Sequence, residues 1–139
     1  MRTIRSMTPV CGAAAGLMLA ACGQSSGGKA DDPYAGLDQS IKQWRAEIVS
    51  TDEACKQKAP EGEACQQFEV SCKVESPISP AEKSAGVTHK VLAAMTWSAR
   101  DAARDEQKPA SATAEFSKTA KGWTRKAAEP VNLRTCAPF

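Results

Sequence analysis

The sequence holds a single histidine, His89, among 139 residues. A histidine-pair metal site is therefore excluded, and neither a nucleophile elbow nor a phosphate-binding glycine loop occurs. No apolar run is long enough to cross a bilayer as a helix. The longest, Met7 to Ala21, has about 15 residues, where a span needs roughly 18–20. Six cysteines are present, but no two stand as Cys-x-x-Cys, the spacing that many zinc and redox sites use. No internal repeat is visible. These gaps leave no catalytic signature to follow.

What is present begins with a leader. Arg2 and Arg5 form a short basic region, no acidic residue precedes Asp31, and the apolar run comes next. Its length suits an export signal. Leu19-Ala20-Ala21-Cys22 resembles the lipobox of bacterial lipoproteins: an apolar residue, two small residues, then cysteine. The resemblance covers residues 1–22. It implies that Cys22 receives a diacylglycerol, that residues 1–21 are a signal peptide cut just before it, and that the new amino group is acylated by a fatty acid such as palmitate. The competing reading is an ordinary secretory signal with an Ala-x-Ala-like cut. Cys11 is a poorer candidate, because Pro9 precedes it closely and the apolar run lies after it. One acyl chain holds a protein to a membrane only marginally, so the several chains implied at Cys22 would make a permanent anchor. Residues 22–31, with Gly23, Ser25, Ser26, Gly27 and Gly28, have the composition of a flexible linker. Gly23 stands where some family members carry an inner-membrane retention Asp. The expected address is the cell envelope, facing the periplasm, with the outer membrane favoured over the inner.

Loss of the first 21 of 139 residues leaves 118, enough for one small domain, 32–139. Loss of Arg2 and Arg5 reduces the 18 Lys and Arg to 16, equal to the 16 Asp and Glu. The surplus of +2 belongs to the leader and gives no reason to expect nucleic acid as a partner. With Cys11 removed and Cys22 lipidated, Cys55, Cys65, Cys72 and Cys136 remain. An even count in an exported chain implies two disulfides, and four cysteines allow three pairings. Cys55–Cys65 and Cys72–Cys136 are favoured. The first closes a short loop through Pro60 and Gly62; the second ties the chain end to what reads as a central strand. Zinc is the alternative for four cysteines, disfavoured by spacing and by an oxidising compartment.

Asp32-Pro33 reads as a helix start. Tyr34, Leu37, Ile41, Trp44 and Ile48 then form one apolar stripe, ending near Val49. Ser50-Thr51-Asp52-Glu53 fits a capping box for a short second helical turn carrying Cys55. Phe68, Val70, Cys72 and Val74 alternate with polar residues as a half-buried strand, and Ser79-Pro80-Ala81-Glu82 caps another helical turn closed by Gly86. Val87 to Ala99 is a long strand with Val87, His89, Val91, Ala93, Met95 and Trp97 on one face. Arg100 to Ser111 reads as a mixed-charge loop containing Pro109. Residues 112–127 read as a hairpin turning at Thr119-Ala120-Lys121-Gly122, and Val131 to Cys136 as a short final strand. The expected class is α+β: an N-terminal amphipathic helix packed on an antiparallel sheet of four to five strands, stapled by disulfides. The arrangement resembles cystatin-like folds in its layers, which carries no function.

No residue earns a catalytic or metal-binding role. His89 in mid-strand reads as a packed or hydrogen-bonded residue. The acidic neighbours Asp31/Asp32, Glu61/Glu63 and Asp105/Glu106 fall in predicted loops and termini as solvated groups. Trp44, Trp97 and Trp123 read as core before binding surface. Lys118, Lys121, Arg125 and Lys126 form a small basic cluster on the hairpin, read first as a solvated face and second as a contact for lipid headgroups or an anionic glycan. No cofactor is expected. The functional expectation is a lipid-anchored, non-enzymatic binding or assembly module whose partners are the membrane and an envelope protein. The alternative is a small envelope hydrolase with a dispersed site.

Overall fold

Four strands form where the sequence alternates: β1 Cys65–Glu75, β2 His89–Asp101, β3 Glu106–Thr119 and β4 Gly122–Ala127. They make one antiparallel sheet in chain order, β1-β2-β3-β4. Helix α1, Leu37–Thr51, precedes them, and the short helix α2, Pro80–Ser84, joins β1 to β2. The computed structural model describes residues 32–57, 63–101, 103–104 and 106–139. The leader, Cys22, the linker to Asp31, and Glu61 and Asp105 of the acidic pairs lie outside these.

Helix α1 buries Leu37, Ile41, Trp44 and Ile48, spaced four, three and four apart. They share one core with Val91, Ala93, Met95, Trp97 and Ala99 of β2 and Ala114 and Phe116 of β3. Trp44 meets the Phe116 ring edge to face, centroids 5.8 Å apart, a favoured aromatic geometry.

The helix starts later than Asp32-Pro33 suggests. The Asp32 side chain accepts a hydrogen bond from the Tyr34 backbone N–H at 2.9 Å, which makes a turn. Gly36 has φ 85°, and a right-handed helix cannot run through a left-handed residue. Tyr34 therefore falls off the apolar stripe. The helix also outlasts Val49. Ser50 and Thr51 turn their hydroxyls back to the Glu47 carbonyl, at 2.9 and 2.7 Å, and Asp52 ends the helix in an extended conformation. No second helix starts there; Asp52 accepts from the Ala54 N–H in a turn that presents Cys55.

β1 breaks its own alternation. Its pairing with β2 slips between Gln66 and Glu69 and again between Val70 and Cys72, and Gln67 has φ 57°. Each bulge adds a residue and re-aims the side chains after it. Val70 opposes Met95 on the α1 side, whereas Cys72 opposes Ala94 and Val74 opposes Leu92, on the other side. The single face expected for Phe68, Val70, Cys72 and Val74 is thus split. β1 is also an edge strand of the sheet, not a central one.

β2 and β3 pair in unbroken register from His89↔Lys118 to Asp101↔Glu106, so the loop expected over Arg100–Ser111 is mostly strand. Pro109 is tolerated because β4 pairs only with Ala114–Thr119. Beyond β4, β3 is a free edge, where a missing N–H costs no ladder bond.

The expected fifth strand does not form. Residues 131–138 fold as a strap closed by one bridge, Val131↔Pro138. Asn132 explains this: its side chain accepts from the N–H groups of Arg134 and Thr135 at 2.9 and 3.2 Å. Its carbonyl accepts from the Cys136 N–H at 2.8 Å. An Asn that bonds its own backbone in this way favours a turn over a ladder. The strap lays Val131 and Cys136 on Ala94, with Cys72 and Leu92 beside them, and forms a second, small core.

Candidate functional site

The two disulfides of the structure are Cys55–Cys65 and Cys72–Cys136, with Cα atoms 4.9 and 5.6 Å apart. The first ties the end of α1 to the start of β1. The second ties the strap to the edge strand.

His89 opens β2 instead of lying within it. Its Nδ1 is 3.7 Å from a Glu75 carboxylate oxygen, and its ring lies 5.8 Å from that of Tyr34. The Tyr34 hydroxyl donates to the same Glu75 carboxylate. That hydrogen bond, then burial and the nearby carboxylates, holds the phenol above its ordinary value. A shallow cleft of about 250 Å³ adjoins the group, floored by Leu37 and Val91 and rimmed by Asp32, Asp38 and Glu75. Lys73 lines the cleft as well.

The segment 33–36 is clamped by three strands. Tyr34 reaches Glu75 of β1, Lys118 of β3 donates to the Pro33 carbonyl at 2.8 Å, and the Trp123 indole N–H of β4 donates to the Ala35 carbonyl at 2.9 Å. The clamp holds residues 33–35 against the sheet. Sequence reasoning did not find it, because each bond spans 41 to 88 residues.

On the strap side, Lys90 bonds both Glu82 carboxylate oxygens, at 2.8 and 3.0 Å, and lies 3.5 Å from Glu115. Glu115 in turn pairs with Lys126 at 2.7 Å. Glu82 also closes the capping box of α2: it accepts from the Ser79 N–H at 2.8 Å, and the Ser79 hydroxyl accepts from the Glu82 N–H at 3.2 Å. These bonds, Lys90 first, lower the Glu82 carboxyl to about 2. The chain of charges holds α2 to the sheet.

The basic cluster is largely occupied by structure. Lys118 holds Pro33, Arg125 pairs with Glu47 of α1 and Lys126 pairs with Glu115. Of the tryptophans, Trp44 and Trp97 are core, 4% and 6% exposed, and Trp97 stacks on Phe68 at 5.6 Å. Trp123 is half-buried and, with Arg125, walls a groove of about 250 Å³ between β4 and the Ser40, Gln43 and Glu47 side of α1. Among the described residues no group of three or more His, Cys, Asp or Glu is placed to hold a metal ion, and no helix is long and apolar enough to cross a membrane. No protein-family model, curated protein or solved structure matches the chain.

Proposed function

We propose that this chain is a lipid-anchored protein of the bacterial cell envelope, held by Cys22 and facing the periplasm from the outer membrane, and that its folded part is a non-enzymatic binding or assembly module. The observation that carries the anchor is the sequence Leu19-Ala20-Ala21-Cys22 behind a basic, apolar leader. Two disulfides in a small domain fit an oxidising compartment. The binding reading is supported by what the ionisable side chains do. Glu82, Lys90 and Glu115, the network with the least exposed charges, hold α2 to the sheet. His89 sits beside Glu75 and the ring of Tyr34, whose hydroxyl is tied to that same carboxylate. Such a module works by presenting a surface at a fixed place, which a permanent tether supplies.

Two measurements on the intact chain separate the readings. Cross-linking in cells and then purification should recover one envelope protein in stoichiometric amount. Incubation of the pure chain with envelope polymers should give no turnover. Turnover without a partner would establish the hydrolase reading instead.

A further inference from the structure

We propose that the open edge of β4 is a docking site for an extended, acidic segment of a partner protein, which pairs there as a fifth strand beside α1. The proposal rests on the binding-module reading and assigns that module its surface.

The sheet has two edges, and they differ. β1 is bulged twice within eleven residues, and a bulged edge resists pairing with another strand. β4 is regular from Gly122 to Ala127. Its hairpin closes on Thr119↔Gly122, and the Ala128 N–H bonds the Thr113 carbonyl at 3.0 Å. Even-numbered residues of β4 therefore turn their backbone groups to β3. Trp123, Arg125 and Ala127 turn theirs outward, and none of the three makes a backbone hydrogen bond beyond β3 among the described residues. Outward-facing ladder groups beside a groove walled by a helix form the geometry of strand addition.

Charge selects the occupant. Between Glu115 and Ala127 the hairpin carries Lys118, Lys121, Arg125 and Lys126 against one carboxylate, and Glu47 supplies a second from α1. A second copy of this chain would bring the same positive surplus to the same edge, and like charges facing each other across a ladder are destabilising. An incoming strand with carboxylates meets instead Lys118, which bonds only a carbonyl, and Lys121, neither of them paired with a carboxylate among the described residues.

The test uses the full chain and two capped octapeptides of alternating valine, one with glutamate between and one with lysine. The glutamate peptide should bind saturably and protect the amides of Trp123, Arg125 and Ala127 from hydrogen exchange. Ala127→Pro, whose lost N–H is not used by β3, should abolish binding. Arg125→Glu should weaken it by roughly tenfold. Equal binding of the lysine peptide, protection along β1, or no binding of the glutamate peptide at millimolar concentration overturns the proposal. If an envelope partner is nonetheless recovered in stoichiometric amount, and Ala127→Pro still retains it, the binding module stands and this edge is not its surface.

Discussion

The two faces of the sheet are covered by different means. On one, α1 lays four side chains over β2 and β3, and burial of Trp44, Phe116 and Met95 holds it there. On the other, a strap of a few residues with one isolated bridge covers Ala94 through little more than Val131 and Cys136. A fifteen-residue helix presents a continuous apolar stripe, and its disulfide, Cys55–Cys65, reaches only the segment just past its end. A short strap buries too little to offset the entropy of ordering it. Its covalent bond to Cys72 is what makes coverage of that face possible.

The largest effect should come from the helix face. Phe116→Ala removes a ring that is fully buried and should cost about 3–5 kcal/mol in urea unfolding, because the cavity adds to the lost transfer energy. Next is the strap. Loss of Cys72–Cys136 releases a closure of 64 residues, whereas loss of Cys55–Cys65 releases one of 10. The loop-entropy model puts these at roughly 4 and 3 kcal/mol, so Cys136→Ser should destabilise more than Cys55→Ser by about 1 kcal/mol. Free cysteine at position 72 packs as a small hydrophobe and adds little further cost. If Cys55→Ser is the worse variant, the strap is held by packing, and the contrast between the faces fails. Ser79→Ala should be smaller still, about 1 kcal/mol, through loss of the α2 cap, read in the same urea melts.

The smallest effect is set by pH and confined to α2. Glu82 is held at about 2, below its ordinary 4.5, so its contribution is present above about pH 4.5 and lost as pH falls through about 2. Lys90 is raised above its ordinary 10.5, first by its bond to Glu82. The lysine's contribution is full below pH 10.5 and lost only as pH rises past its folded value. Carbon-detected NMR titration should place the Glu82 midpoint near 2, and Lys90→Met should return it toward 4.5. An ordinary midpoint in the unmodified chain would mean that the Lys90 contact does not hold α2.

Local chemistry was legible in the sequence and long-range geometry was not. The box at Ser79–Glu82 and the turn before Gly122 are set by neighbours in the chain, and both form as read. The stripe Leu37-Ile41-Trp44-Ile48 names its own buried face. The cysteine pairs expected from strand and loop positions are the two that form. The bulge after Val70 was invisible because Phe68-Val70 and Cys72-Val74 keep period two across it while their face changes. Pro109 read as a loop breaker because nothing in the sequence says that β4 stops short of it. The strap read as a strand because Val131 and Leu133 alternate, while the turn made by Asn132 depends on one side chain. The groove beside β4 combines residues about 80 apart, beyond any local pattern.

Everything proposed for this chain in the cell depends on Cys22. Metabolic labelling with a radioactive fatty acid, then membrane fractionation of the natural chain and of Cys22→Ala, tests it directly. The natural chain should carry label and sediment with membranes, and Cys22→Ala should carry none and accumulate as an uncut or mis-cut precursor. Equal labelling of the two, or an unlabelled natural chain free in the periplasm, would contradict the anchor.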